Sequence, residues 1–61
     1  MGERFLRRRQ VEEITGLSRS SIYRLIEGGQ FPRPVRVGPN AVRWPSSAIA
    51  DWMRSRPLAG N

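Results

Sequence analysis

The 61-residue sequence has no cysteine and no histidine, and Asp51 is its one aspartate. Without cysteine there is no disulfide framework and no thiol nucleophile. Without cysteine or histidine there is no metal site of the usual spacing and no imidazole base. No nucleophile–base pair or carboxylate pair stands out, so the expected function is not enzymatic and needs no cofactor, metal or small-molecule ligand. Long apolar runs are missing too. Arginine interrupts the N-terminal segment, and no stretch approaches the roughly 20 apolar residues of a membrane span. A soluble, intracellular protein with no membrane partner is expected.

Lysine is also absent, so all 11 of the Lys+Arg residues are arginine; with 5 Asp+Glu the formal net charge is +6. At a sequence pI of about 11.8, the surface carries planar, permanently charged forks that suit carboxylate or phosphate. A chain of this length buries only about 60% of its unfolded surface. One small domain over residues 1–61 is therefore expected, built on few apolar residues.

Glycine and proline divide the chain into four pieces. Over about residues 8–15, Val11 and Ile14, with Leu17 beyond, form a helical apolar stripe, and Glu12 and Glu13 point away from it. Gly16 occupies the position where a left-handed residue ends a helix. Ser18 is a good N-cap for a second helix over about 19–27, whose Ile22, Leu25 and Ile26 face a core. The period changes to two between Pro34 and Trp44: Val35 and Val37 alternate with Arg36, and Val42 and Trp44 with Arg43, around a turn at Gly38, Pro39 and Asn40. Pairing Val37 with Val42, Arg36 with Arg43 and Val35 with Trp44 keeps apolar residues opposite apolar ones. A slip of one residue would set Val35 against Arg43. A Ser46 or Ser47 cap then begins a last helix, about 47–56, with Ile49, Trp52 and Met53 inward. Residues Pro57 to Asn61 are expected to fray. The fold class this implies is mainly α with a small β-hairpin, a winged helix-turn-helix.

The arginines fall at three places. On a wheel of about 100° per residue, the outward face of the second helix presents Ser20, Arg24 and Glu27, flanked by Tyr23 and Arg19 on one side and Ser21 on the other. Such a mixture of short and long hydrogen-bonding groups suits a major groove. Arg36 and Arg43, if directly opposed across the hairpin, would repel by up to about 1 kcal/mol unless a phosphate lay between them. Asn40 at the tip could reach a phosphate or the minor groove. Arg7, Arg8 and Arg9 crowd the positive end of the first helix, where each charge is unfavourable by about 0.3–1 kcal/mol and where an anion would sit naturally. Arg33, Arg54 and Arg56 read as general field. Both tryptophans fall on inward phases and read as core rather than as base-stacking platforms.

The segments TGLSRSSIYRLI, FPRPVRVGPNAVRW and PSSAIADWM together resemble the AlpA-type family of phage and prophage regulators, relatives of MerR-like winged-helix domains and of some phage excisionases. The resemblance runs from about Leu6 to Arg56. It implies a small double-stranded-DNA-binding regulator in the bacterial cytoplasm or nucleoid, acting on transcription of phage or integrative-element genes. An excisionase that bends attachment-site DNA is the alternative within DNA binding. A basic module binding an acidic protein or RNA is the alternative from another class. Matched by position, Arg19, Ser20, Ser21, Tyr23 and Arg24 occupy DNA-facing places and Val35 to Trp44 form the wing. With Arg36, Asn40, Arg43, Arg8 and Arg9 they make up the candidate DNA-binding set. Family members commonly carry an acidic residue beside the proline that starts the last helix, where Ser46 and Ser47 stand here. MerR proteins proper dimerise through a long C-terminal helix that this sequence lacks. A monomer in solution is expected, with cooperative or head-to-tail packing on DNA, and with an integrase or RNA polymerase as the protein contacts the resemblance suggests.

Overall fold

A computed structural model describes residues 2–57, which form β1 (Phe5–Leu6), α1 (Arg8–Thr15), α2 (Arg19–Glu27), β2 (Val35–Gly38), β3 (Ala41–Pro45) and α3 (Ser46–Arg54). Residues 58–61, most of the stretch expected to fray, lie outside the described residues. The capping chemistry sets the helix ends. At the start of α1 the Arg7 backbone N–H donates to the Gln10 side-chain oxygen at 2.9 Å. At its end Gly16 turns left-handed with φ 75°, and its N–H closes on the Glu12 carbonyl at 2.7 Å. A side chain is strained at that φ, so glycine ends the helix cheaply. Ser18 then caps α2 by accepting the Ser21 N–H at 3.1 Å. With only Gly16, Leu17 and Ser18 between them, α1 and α2 form a helix-turn-helix.

The sheet is antiparallel with strand order β1-β3-β2, and the whole is a winged helix-turn-helix. The β1 strand was not legible as a period, since two residues define none. It pairs Phe5 with Pro45 and Leu6 with Trp44. Leu6, Val11, Ile22, Ile26, Phe31, Trp44 and Ile49 are buried as one core, with Leu17, Leu25, Val42 and Trp52 packed against it. Trp44 is fully buried, and its indole N–H donates to the Pro32 carbonyl at 2.9 Å. Trp52 is partly buried, with its ring edge to face with Phe31 at 4.7 Å. Its N–H donates to the Gln30 carbonyl at 2.7 Å. The two indoles thus clamp the segment that joins α2 to the wing.

Four side chains expected inside are exposed: Ile14, Val35, Val37 and Met53. In α1, which is only about two turns long, Val11 alone is buried. Leu6 and Leu17, from just outside the helix, join the core in place of Ile14.

The hairpin register also differs from expectation. Gly38 pairs with Ala41 as the expected alignment requires, but Arg36 pairs with Val42 and Val35 with Arg43, with an irregularity between Arg36 and Gly38 that leaves Val37 unpaired. Pro39 explains this. Its ring fixes φ near −65°, which excludes the type I′ and II′ turns that match strand twist in two-residue hairpins. A bulged residue supplies the missing twist, and Val37 is that residue. Arg36 therefore does not oppose Arg43; the two lie on opposite faces of the hairpin.

Neither serine caps α3 in the expected way. Pro45 is the N-cap and supplies no side-chain bond. Instead the N-terminal arm reaches over. The Ser46 N–H donates to the Arg4 carbonyl at 2.7 Å, the Arg4 N–H donates to Ser46 Oγ at 2.9 Å, and the Ser47 hydroxyl donates to the Glu3 carboxylate at 2.9 Å. An acid thus stands at this helix start, arriving from Glu3 rather than from a residue beside the proline.

Candidate nucleic-acid interface

The second helix turns Ile22 and Ile26 inward and leaves Arg19, Ser20, Tyr23, Arg24 and Glu27 exposed. Ser21 is drawn into the cap, since its hydroxyl accepts from Ser18 Oγ at 3.1 Å, and it is half-buried. Tyr23 is seated from below, its ring edge on Trp44 with centroids 6.5 Å apart, while it stays 38% exposed. The face is a set of solvent-facing hydrogen-bonding groups, mostly donors, on a backbone fixed by packing.

Arginines from distant parts of the sequence meet on either side of α1. One groove runs between α1 and the start of α2, bordered by Arg8, Arg9, Glu12, Glu13, Leu17 and Arg19. A second runs between the start of α1 and the wing tip, bordered by Arg7, Arg8, Arg9, Asn40 and Arg43. Arg8 and Arg9 border both. The α1 start, where the first amide groups have no carbonyl acceptor within the helix and the dipole end is positive, lies where these arginines converge.

Few of these charges are neutralised within the chain. Arg8 Nε is 2.8 Å from Glu12 Oε2, and Arg54 pairs with Asp51 away from the grooves. Among the described residues Arg7, Arg9, Arg19 and Arg24 make no ion pair. The wing arginines are braced on their own backbone. Arg36 donates to the Pro39 carbonyl at 3.1 Å and Arg43 to the Val42 carbonyl at 2.8 Å. Arg43 is half-buried, while Arg36 and Asn40 are exposed. Of the candidate set, Arg8, Arg9, Arg19, Asn40 and Arg43 thus line the grooves, whereas Ser20, Ser21, Tyr23, Arg24 and Arg36 do not.

The model of the family described as prophage CP4-57 regulatory protein (AlpA) matches residues 4–57. The chain belongs to the AlpA family. This AlpA-family chain is also 48% identical over 58 residues to the uncharacterized protein ORF88 of Enterobacteria phage P4. The match takes in 95% of the chain but only 65% of that relative's length. No solved structure matches it.

Three features of this AlpA-family surface escape a reading by periodicity. Arg7, outside the candidate set, is the α1 N-cap and borders the wing groove. Its place beside Arg8 and Arg9 was the available signal. Glu12, expected to point away, is half-buried and tied to Arg8; its i, i+4 spacing from Arg8 is a pattern the sequence shows. Arg56, read as general field, lies over the Trp52 ring at 4.8 Å to the centroid, a cation–π contact on the side chain that clamps the wing linker. No helix among the described residues is long and apolar enough to cross a membrane.

Proposed function

We propose that this chain is a sequence-specific double-stranded-DNA-binding regulator of a phage, prophage or integrative element, acting by binding alone. In this reading α2 lies in the major groove, with Arg19, Ser20, Tyr23 and Arg24 toward base edges. The wing and the start of α1 hold the adjacent backbone. The observation that carries it is the convergence of Arg7, Arg8, Arg9, Arg19 and Arg43 on two grooves flanking α1, beside an exposed helix face backed by core. Membership of a family described as regulatory supports the same reading.

Selection of bound oligonucleotides from a random duplex pool tests specificity, and a salt titration on the selected site tests the phosphate contacts. With roughly five phosphates engaged, log K should fall against log salt with a slope near −4.5. A slope close to zero, or no sequence enriched over the pool, defeats the proposal.

A further inference from the structure

The Arg8–Glu12 pair is badly placed for stabilising α1. It sets the cation toward the positive end of the helix dipole and the acid one turn further from it, the unfavourable order for an i, i+4 pair. A partly exposed pair of this kind contributes little to stability in any case. Yet the contact is well formed: Nε to Oε2 is 2.8 Å, and the two side chains are only 34% and 28% exposed. Arg8 also borders both grooves. The bond to Glu12 uses the Nε–H, and the two terminal amino groups keep their donors for another acceptor.

We propose that Glu12 is a positioning residue for DNA binding, holding the Arg8 guanidinium on the ridge of α1 so that its terminal amino groups meet a backbone phosphate between the wing and α2. The inference rests on the DNA-binding reading. It explains why an acid sits among arginines on a surface meant for a polyanion: a fixed fork loses less freedom on binding than a free one.

Charge alone and positioning predict opposite signs. Removing an acid from a polyanion-binding surface should tighten binding if only the field matters. If Glu12 positions Arg8, Glu12→Ala weakens binding to the selected duplex by about threefold to tenfold. Glu12→Gln, which keeps an acceptor oxygen without the charge, falls between Glu12→Ala and the wild type. In an Arg8→Ala background nothing is left to position, and Glu12→Ala then tightens binding. Fluorescence anisotropy on the 61-residue chain and its variants reads these changes, with thermal melts confirming that each variant is folded. Tightening or no change by Glu12→Ala in both backgrounds overturns the proposal and leaves the DNA-binding reading intact. A wild-type chain that does not bind duplex DNA overturns that reading, and this one with it.

Discussion

The second helix, α2, and the wing carry similar arginines on different footings. The inner side of α2 is built into the core through Ile22 and Ile26, so Arg19 and Arg24 project from a backbone that cannot move without disturbing packing. No residue of β2 is buried, and the hairpin is anchored at its base, where Trp44 pairs with Leu6 and bonds to Pro32. A rigid platform can hold a donor against one base edge. An arm whose outer strand β2 is largely exposed is better suited to phosphates, which are alike along any duplex.

Trp44 serves both regions, so its removal should have the largest effect. It is fully buried, supports Tyr23 from beneath and holds the wing linker. Trp44→Ala should cost about 3–5 kcal/mol, much of the stability a domain this small can have. The expected result is loss of the cooperative thermal transition followed by circular dichroism, and of DNA binding with it. A variant that melts within a few degrees of the wild type would show that helix and wing do not share this anchor.

The next test separates the two regions. Arg24→Ala should cost about 1–3 kcal/mol on the selected site and clearly less on random duplex, as expected of a base-reading side chain. Arg36→Ala should weaken both duplexes alike and make the salt slope shallower by about 0.9. Equal losses on both DNAs for Arg24→Ala would erase the distinction between platform and arm.

The same contrast governs how much was legible in the sequence. The helices of the platform could be read because each states itself twice, in an apolar stripe and in a terminal residue such as Ser18 or Gly16. The sheet states itself weakly. Phe5 and Leu6 are too few to show a period, although they close the core against Trp44. Phe31, buried between glycines and prolines, has no neighbours in phase with it. The alternation in the wing favoured a register that a bulge then overrides, and the one clue was Pro39, whose fixed φ rules out the turns an unbulged two-residue hairpin prefers. For the candidate site, arginine positions along the chain were visible. That Arg8 and Arg9 border grooves shared with both α2 and the wing depends on how α1 packs, which no local pattern encodes.

Val37 gives the smallest expected effect and the sharpest test of the wing. In the bulged register it is unpaired and 51% exposed, so Val37→Thr exchanges one surface methyl for a hydroxyl and should change stability by less than about 0.5 kcal/mol. In the unbulged alignment Val37 would face Val42, which packs against the core. A hydroxyl there would lose both the cross-strand apolar pair and its own hydration, at about 1–3 kcal/mol. Thermal melting therefore distinguishes the two registers by the size of the effect: a near-silent substitution places Val37 on the bulge, with Arg36 and Arg43 on opposite faces, while a clear loss would put the two arginines side by side and make the wing a single-faced phosphate grip.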